Sequence, residues 1–216
     1  MNLTANSKYE SQNSRLRIAK FEFPSVEENS SPYKSISKYD INSMESMIED
    51  DVKRFHKKSK NEAIIIYKLS QEVFYGCGDT NPELTELAAS LFLFFSDFSY
   101  YLNIEESQFI PAVQGLLHKY KIAEIIKFEH KPVIKDLIRK IRFEHHAAIE
   151  KLIFFKTLTG DYEMAAGACT SYHLLFAKLK KFQSDLIAYM HFENKRFFPL
   201  AIRLEDNMSK QQMINP

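Results

Sequence analysis

The stretch YLNIEESQFIP, residues 101–111, returns in altered form as YMHFENKRFFP at 189–199. Both copies read Tyr-x3-Glu-[Glu/Asn]-x2-Phe-x-Pro, so Tyr101 and Tyr189 each precede a glutamate, Glu105 and Glu193, by about one helical turn. The residues leading into each copy step by threes and fours. Leu87, Leu91, Phe94, Phe98 and Tyr101 form one stripe, and Glu105 takes its next slot. Leu175, Leu179, Phe182, Leu186, Tyr189 and Phe197 form another, with Glu193 on it. The repeat therefore marks two core-facing helices, each carrying a carboxylate in a position its own periodicity assigns to the interior.

Two further stretches behave alike. Ile134, Ile138, Ile141, Ala148 and Leu152 form a stripe that includes His145, and Val52, Ala63 and Ile66 share a face with His56. The helical stretches run from about Ile41 to Phe74, Pro82 to Tyr120, Ile122 to Thr157 with an interruption expected near Pro132, and Ala168 to Asp206. YGCGDTNPE and LTGDYEMAAGAC separate the first pair and the last pair. Five Gly and seven Pro in 216 residues leave little turn material for a β protein. The expected architecture is all-α, an up-down four-helix bundle over 39–208, with a polar, loosely packed or disordered tail at 1–38 and a short tail at 209–216.

A net charge of +1 excludes a global attraction to nucleic acid or anionic membrane. No signal-peptide core is present, and the most apolar run, Leu84 to Tyr101, is broken by Thr85, Glu86, Ser96 and Asp97. Cys77 and Cys169 lack zinc-like spacing and read as reduced thiols, which together with the soluble character places the chain in the cytoplasm. No nucleophile triad or phosphate loop stands out. Lys127, Lys131, Lys135 and Arg139 recur every four residues, but Glu124, Glu129 and Asp136 dilute them into a solvated bundle face.

A carboxylate in a core is costly unless it is paired or coordinated. Two Glu and two His from four helices suit a non-haem iron or manganese pair, with bound cations neutralising the carboxylates that bridge them.

From about residue 43 to 206 the chain resembles the hemerythrin-like di-iron proteins, most closely the iron–sulfur cluster repair proteins linked to nitrosative and oxidative stress. The resemblance rests on DDVKRFHKKSKNEA (51–63 and its flank), GDTNPEL (78–84), EESQFIP (105–111), FEHHAAIEKLIFFKTLTGDY (143–162) and ACTSYHLLFAKLKKFQSDLIAYMHFENKRFFP (168–199). It implies iron ligation by His56 and His145 and bridging by Glu105 and Glu193. It also places Tyr101 and Tyr189 where the family carries ligand histidines. Three outcomes stay open for the phenols. They ligate as phenolates, which favours ferric iron because an unperturbed tyrosine has a pKa of about 10. They stay protonated and hydrogen-bond the glutamate beside them in a two-Glu, two-His site. Or the centre is metal-free, and hydrogen bonds alone satisfy the core. His146 and His191 are spare imidazoles near the site, while His118, His130 and His173 read as surface residues, and Cys169 as helix-end packing.

The resemblance implies a metal-binding repair or sensor protein rather than a conventional enzyme. It would act in iron–sulfur cluster repair, iron handling, or the response to nitric oxide and oxygen. Its partners would be metal ions, O2 or NO, and iron–sulfur proteins. The rival, from a different class, is a metal-free bundle serving as an interaction or regulatory module. Residues 1–38 contain no Cys, unlike the separate cysteine-containing domain of many repair proteins.

Overall fold

Ser37 starts the first helix by satisfying its exposed amides. Its Oγ accepts from the Asp40 amide while the Asp40 carboxylate accepts from the Ser37 amide, a capping box. Helix α1 (Lys38–Ser46) passes through a π turn, Met47–Val52, into α2 (Lys53–Cys77). Pro82, which lacks an amide hydrogen, opens α3 (Pro82–Ile104), which continues through a π turn, Glu105–Phe109, into α4 (Ile110–Ile122). Helix α5 (Ile134–Leu158) stands alone. Helix α6 (Thr170–Phe192) continues through a third π turn, Glu193–Phe197, into α7 (Phe198–Ile214). The computed structural model describes residues 36–77, 81–122, 132–163 and 169–214, and among these there is no strand. The expected N-terminal tail lies almost wholly outside the described residues, and α7 runs past residue 208.

The four long helices alternate in direction. Tyr120 near the end of α4 bonds the Ile36 carbonyl at the start of α1, and Lys121 pairs with Glu45 at 2.6 Å. Ser171 at the start of α6 reaches Glu72 near the end of α2. Lys135 at the start of α5 pairs with Asp206 in α7 at 2.9 Å. The α1–α2 helix packs on α3 and α6, and α5 packs on α3 and α7, which closes an up-down four-helix bundle.

Ile122 closes α4. The interruption expected near Pro132 is present: residues 132 and 133 are outside any helix and α5 begins at Ile134, while the stretch 123–131 expected to belong to the same helix lies outside the described residues. Pro132 donates no amide hydrogen. The amides of Val133 and Ile134, which have no partner within the helix they open, are taken up by the buried Glu205 carboxylate of α7, at 2.6 and 2.8 Å. The helix from Pro82 to Ile122 also has the length and composition of a membrane span, although the shorter run read from the sequence fell short of one. Half of its most apolar window is buried in the bundle.

The abundant phenylalanines fill two layers. On one side of the bundle centre Phe94 and Phe98 stack near-parallel and meet Phe155 and Phe182 edge-on, with Phe94–Phe155 at 5.4 Å and 90° and Phe98–Phe182 at 5.4 Å and 78°. On the other, Phe109 packs edge-on against Phe197 at 5.5 Å and Phe198 at 5.3 Å. Such pairs add about 0.5–1.5 kcal/mol beyond burial. Between the two layers lies the polar centre.

Candidate metal centre

Each of the four long helices delivers ionisable groups to one level of the bundle. His56 from α2, Tyr101 and Glu105 from the second helix, His145 from α5, and Tyr189 and Glu193 from the fourth are all buried. All six side chains singled out in the sequence therefore come together. Glu105 and Glu193 each occupy the first position of a π turn, where the amide of Ile110 or Phe198 reaches back five residues to the glutamate carbonyl.

The hydrogen bonds fall into two matching halves. His56 Nε2 lies 2.7 Å from Glu105 Oε2 and 3.1 Å from Tyr189 Oη, and Tyr189 donates to Glu105 Oε2 at 3.1 Å. His145 Nε2 lies 3.2 Å from Glu193 Oε2 and 3.1 Å from Tyr101 Oη, and Tyr101 donates to Glu193 Oε2 at 3.3 Å. Each phenol thus bonds the glutamate of the opposite helix, whereas the sequence reading placed it against the one beside it. A tyrosine ring is long enough to cross the bundle axis, while the glutamate one turn away points to the same axis from its own side.

Behind each imidazole stands the residue that follows the glutamate in the repeated motif. Glu106 Oε1 lies 3.1 Å from His56 Nδ1 and is itself paired with Lys60 at 2.7 Å. Asn194 Nδ2 lies 3.4 Å from His145 Nδ1, and Asn194 Oδ1 accepts from Arg142 Nε at 2.9 Å. Phe198 stacks on His145 with ring centroids 6.1 Å apart and planes 15° from parallel. These supporting residues are absent from the sequence-derived set. The signal for two of them was the polar position after each glutamate of the motif.

Burial and mutual charge set the protonation. Burial pushes the Glu105 carboxyl up, but the His145 and His56 imidazoles beside it outweigh that and hold the group below the usual carboxylate range. Burial, and then the Glu105 charge, push Glu193 up. Burial lowers both His56 and His145, yet hydrogen bonds and charge from the glutamates leave each above 6.5. Burial, followed by the two carboxylates, holds Tyr101 and Tyr189 well above 10, so both phenols keep their protons.

Not every oxygen is served. Glu105 Oε1 and Glu193 Oε1 are buried with no hydrogen-bond partner among the described residues. Two unserved carboxylate oxygens in a core cost free energy that a cation would recover. Glu105, His145 and Glu193 offer ligand atoms within 4.8 Å of one another. The donor set, oxygen and imidazole nitrogen, fits a first-row transition metal.

Two cavities approach this centre. One, of about 330 Å³, lies between α2 and α6, and its wall includes Phe55, whose ring stacks face to face on Tyr189 at 3.8 Å. The other, of about 70 Å³ between α3 and α5, is lined by Tyr101, Phe98 and Ala148.

The remaining sequence candidates lie apart from the centre. His146 pairs with Glu150 at 3.4 Å on the surface, and His118, His173 and His191 are exposed. Cys169 is exposed at the start of α6, where the sequence reading expected packing, and its side chain makes no cap hydrogen bond. His130, Lys127, Lys131 and the Cys77 side chain lie outside the described residues.

Comparison with known proteins converges on the same region. The model of the hemerythrin HHE cation binding domain matches residues 47–201. The iron-sulfur cluster repair protein YtfE of Musicola paradisiaca is 28% identical over 162 residues, 75% of this chain and 67% of that protein. The YtfE protein of Dickeya chrysanthemi is 26% identical over 163 residues, 76% of this chain and 68% of that protein. A probable iron-sulfur cluster repair protein of Haemophilus influenzae is 25% identical over 156 residues, 72% of this chain and 64% of that protein. The match thus spans about two thirds of each relative's length.

Proposed function

The chain belongs to the hemerythrin HHE cation binding domain family, and from that premise we propose that it holds non-haem iron at this centre and acts in iron–sulfur cluster repair. Related iron handling, and the response to nitric oxide and oxygen, share the same chemistry. The observation that carries the reading is the pair of buried, unserved oxygens, Glu105 Oε1 and Glu193 Oε1, pointing into one centre. Glu105 and Glu193 would supply oxygens to the ion or ions and His56 and His145 would stand as the imidazoles, with manganese as the alternative metal. Bound iron would supply redox and Lewis-acid chemistry toward a small molecule such as O2 or NO. The protein's own part is to exclude bulk water through the aromatic layers, to hold protonated phenols beside the carboxylates, and to offer narrow approaches past Phe55 and Tyr101. Tyr101 and Tyr189 act as hydrogen-bond donors to the carboxylates, because burial and the glutamate charges oppose their ionisation. Iron–sulfur proteins are the partners this role requires.

One observation favours the second reading, a metal-free bundle used as an interaction or regulatory module. Each half of the centre already closes a His–Glu–Tyr hydrogen-bond set without an ion. Metal analysis separates the two. Purified protein reconstituted with Fe(II) should retain iron after desalting, and Glu105→Gln combined with Glu193→Gln should abolish retention. Iron that stays far below one ion per chain in the wild type would establish the metal-free reading.

A further inference from the structure

The two halves of the centre match residue for residue, His56 with His145, Glu105 with Glu193 and Tyr189 with Tyr101, yet the group behind each Nδ1 differs in kind. His56 Nδ1 faces a carboxylate, Glu106, which can only accept. Its Nε2 faces a second carboxylate, Glu105 Oε2 at 2.7 Å, so His56 has an acceptor at each ring nitrogen. The Glu106 contact at Nδ1 is the arrangement in which an outer carboxylate orients a histidine ligand.

His145 faces an amide whose orientation is dictated by two other partners. Asn194 Oδ1 sits 2.9 Å from Arg142 Nε, a donor with no accepting capacity. Asn194 Nδ2 sits 2.8 Å from the Met190 carbonyl, an acceptor with no hydrogen to give. Turning the amide round would set donor against donor and acceptor against acceptor at both contacts, so the assignment of its two ends follows from chemistry. The NH2 end is the one 3.4 Å from His145 Nδ1. A neutral His145 must then accept at Nδ1 and carry its proton on Nε2, directed at Glu193 Oε2 and Tyr101 Oη. Arg142 is held in turn over the Phe198 ring at 5.8 Å, and Phe198 stacks on His145, so one small assembly sets both the position and the tautomer of this imidazole.

We propose that Arg142 and Asn194 are positioning residues that fix His145 as the Nε2–H tautomer, making it a hydrogen-bond donor in the metal-free centre. Resting on the reading of the centre as a cation site, this makes the two imidazoles unequal. Ligation by His145 requires its proton to move to Nδ1 against the Asn194 amide, whereas His56 has the Glu106 carboxylate at Nδ1 to accept a hydrogen bond from that proton. An aspartate at position 194 would reverse that preference, because a carboxylate accepts from Nδ1–H.

The test uses full-length protein labelled with 15N at histidine, with His56→Gln and His145→Gln used for assignment. Long-range 1H–15N correlation spectra of the metal-free protein, at alkaline pH where both rings are neutral, should show His145 protonated on Nε2. Finding His145 protonated on Nδ1 overturns the proposal. Asn194→Asp should move the His145 proton to Nδ1 and tighten Co(II) binding by about ten- to a hundredfold. Arg142→Met, which removes one of the two anchors of the amide, should leave His145 as a mixture of tautomers. A His145 tautomer that is unchanged in both variants also overturns the proposal. Should the wild type bind no Co(II), the cation reading fails, and the tautomer measurement on metal-free protein still decides this one.

Discussion

Tyr189 donates its hydroxyl to Glu105 Oε2 across the bundle, at 3.1 Å, and so ties the fourth helix to the second through a bond with both ends buried. Tyr101 does the reverse, reaching Glu193 at 3.3 Å. The two crossed bonds hold the carboxylates at the bundle centre from opposite sides. They also make the phenols part of the structural account as well as of the chemistry.

Tyr101→Phe and Tyr189→Phe should each remove one hydrogen bond to a buried carboxylate and destabilise the metal-free protein by about 1–3 kcal/mol. Denaturant titration in the presence of chelator measures this. In protein loaded with Fe(III), protonated phenols give no intense tyrosinate charge-transfer band in the visible. Appearance of such a band, and its loss in either variant, would make the phenols ligands instead.

The two glutamates should differ when replaced in the metal-free protein. Glu105 is hydrogen-bonded to His56 and Tyr189, so Glu105→Gln weakens charge-assisted bonds and should cost about 1–3 kcal/mol. Glu193 is raised by burial and by its neighbour, so Glu193→Gln relieves repulsion and should be neutral or stabilising. Both variants should lose iron. Equal destabilisation by the two would contradict this assignment of charge.

Stability of the metal-free protein should fall as pH rises through the neutral range. Glu193 binds its proton more tightly in the folded chain than an ordinary carboxyl near 4.5, and His56 and His145 do so relative to 6.5. Their contribution is complete below those unfolded values and is lost as pH climbs through the higher folded ones. Glu105, shifted downward, acts oppositely and loses its contribution only at acid pH. Denaturant midpoints measured from roughly pH 5 to 9 should decline in chelator, and bound metal should remove the decline because it takes the place of those protons.

Phe55 closes the larger cavity where it stacks on Tyr189. Phe55→Ala should open that route and speed the removal of bound metal by an external chelator severalfold, with a stability loss below the roughly 3–5 kcal/mol of a fully buried Phe→Ala change. Stopped-flow chelation reads the rate, and an unchanged rate would direct attention to the smaller cavity beside Tyr101.

Glu205 caps the third bundle helix from the fourth. Glu205→Ala should cost about 1–3 kcal/mol and Glu205→Gln less, because the amide oxygen still accepts from the Val133 and Ile134 amides. Thermal unfolding of the pair checks the ordering.

The helices and the membership of the centre were legible because burial imposes a period. Leu87 through Tyr101 and Leu175 through Tyr189 pointed inward, and Glu105 and Glu193 lay on the same lines. Which glutamate each phenol would meet was not legible, since that depends on the distance between helices rather than on spacing within one. Asn194 and Glu106 were visible only as polar letters in a motif, because their roles come from Arg142, Met190 and Lys60, brought near by folding. The break before the third helix was legible too, because Pro132 has no amide hydrogen to give a helix.

The π turns have a consequence for how the chain tolerates change. Each accommodates one residue more than the α repeat, so everything downstream is rotated by about 100° relative to an uninterrupted helix. Phe109 and Val113, in and after the turn at 105–109, and Phe197 and Ala201, in and after the turn at 193–197, are buried with that added phase in place. Glu105 and Glu193 therefore sit at dislocations in their helices. Deleting a single residue within 105–109 or 193–197 would leave the preceding tyrosine in place and turn the entire following helix away from the interior. Substitutions there perturb a site, whereas length changes would unmake half a bundle.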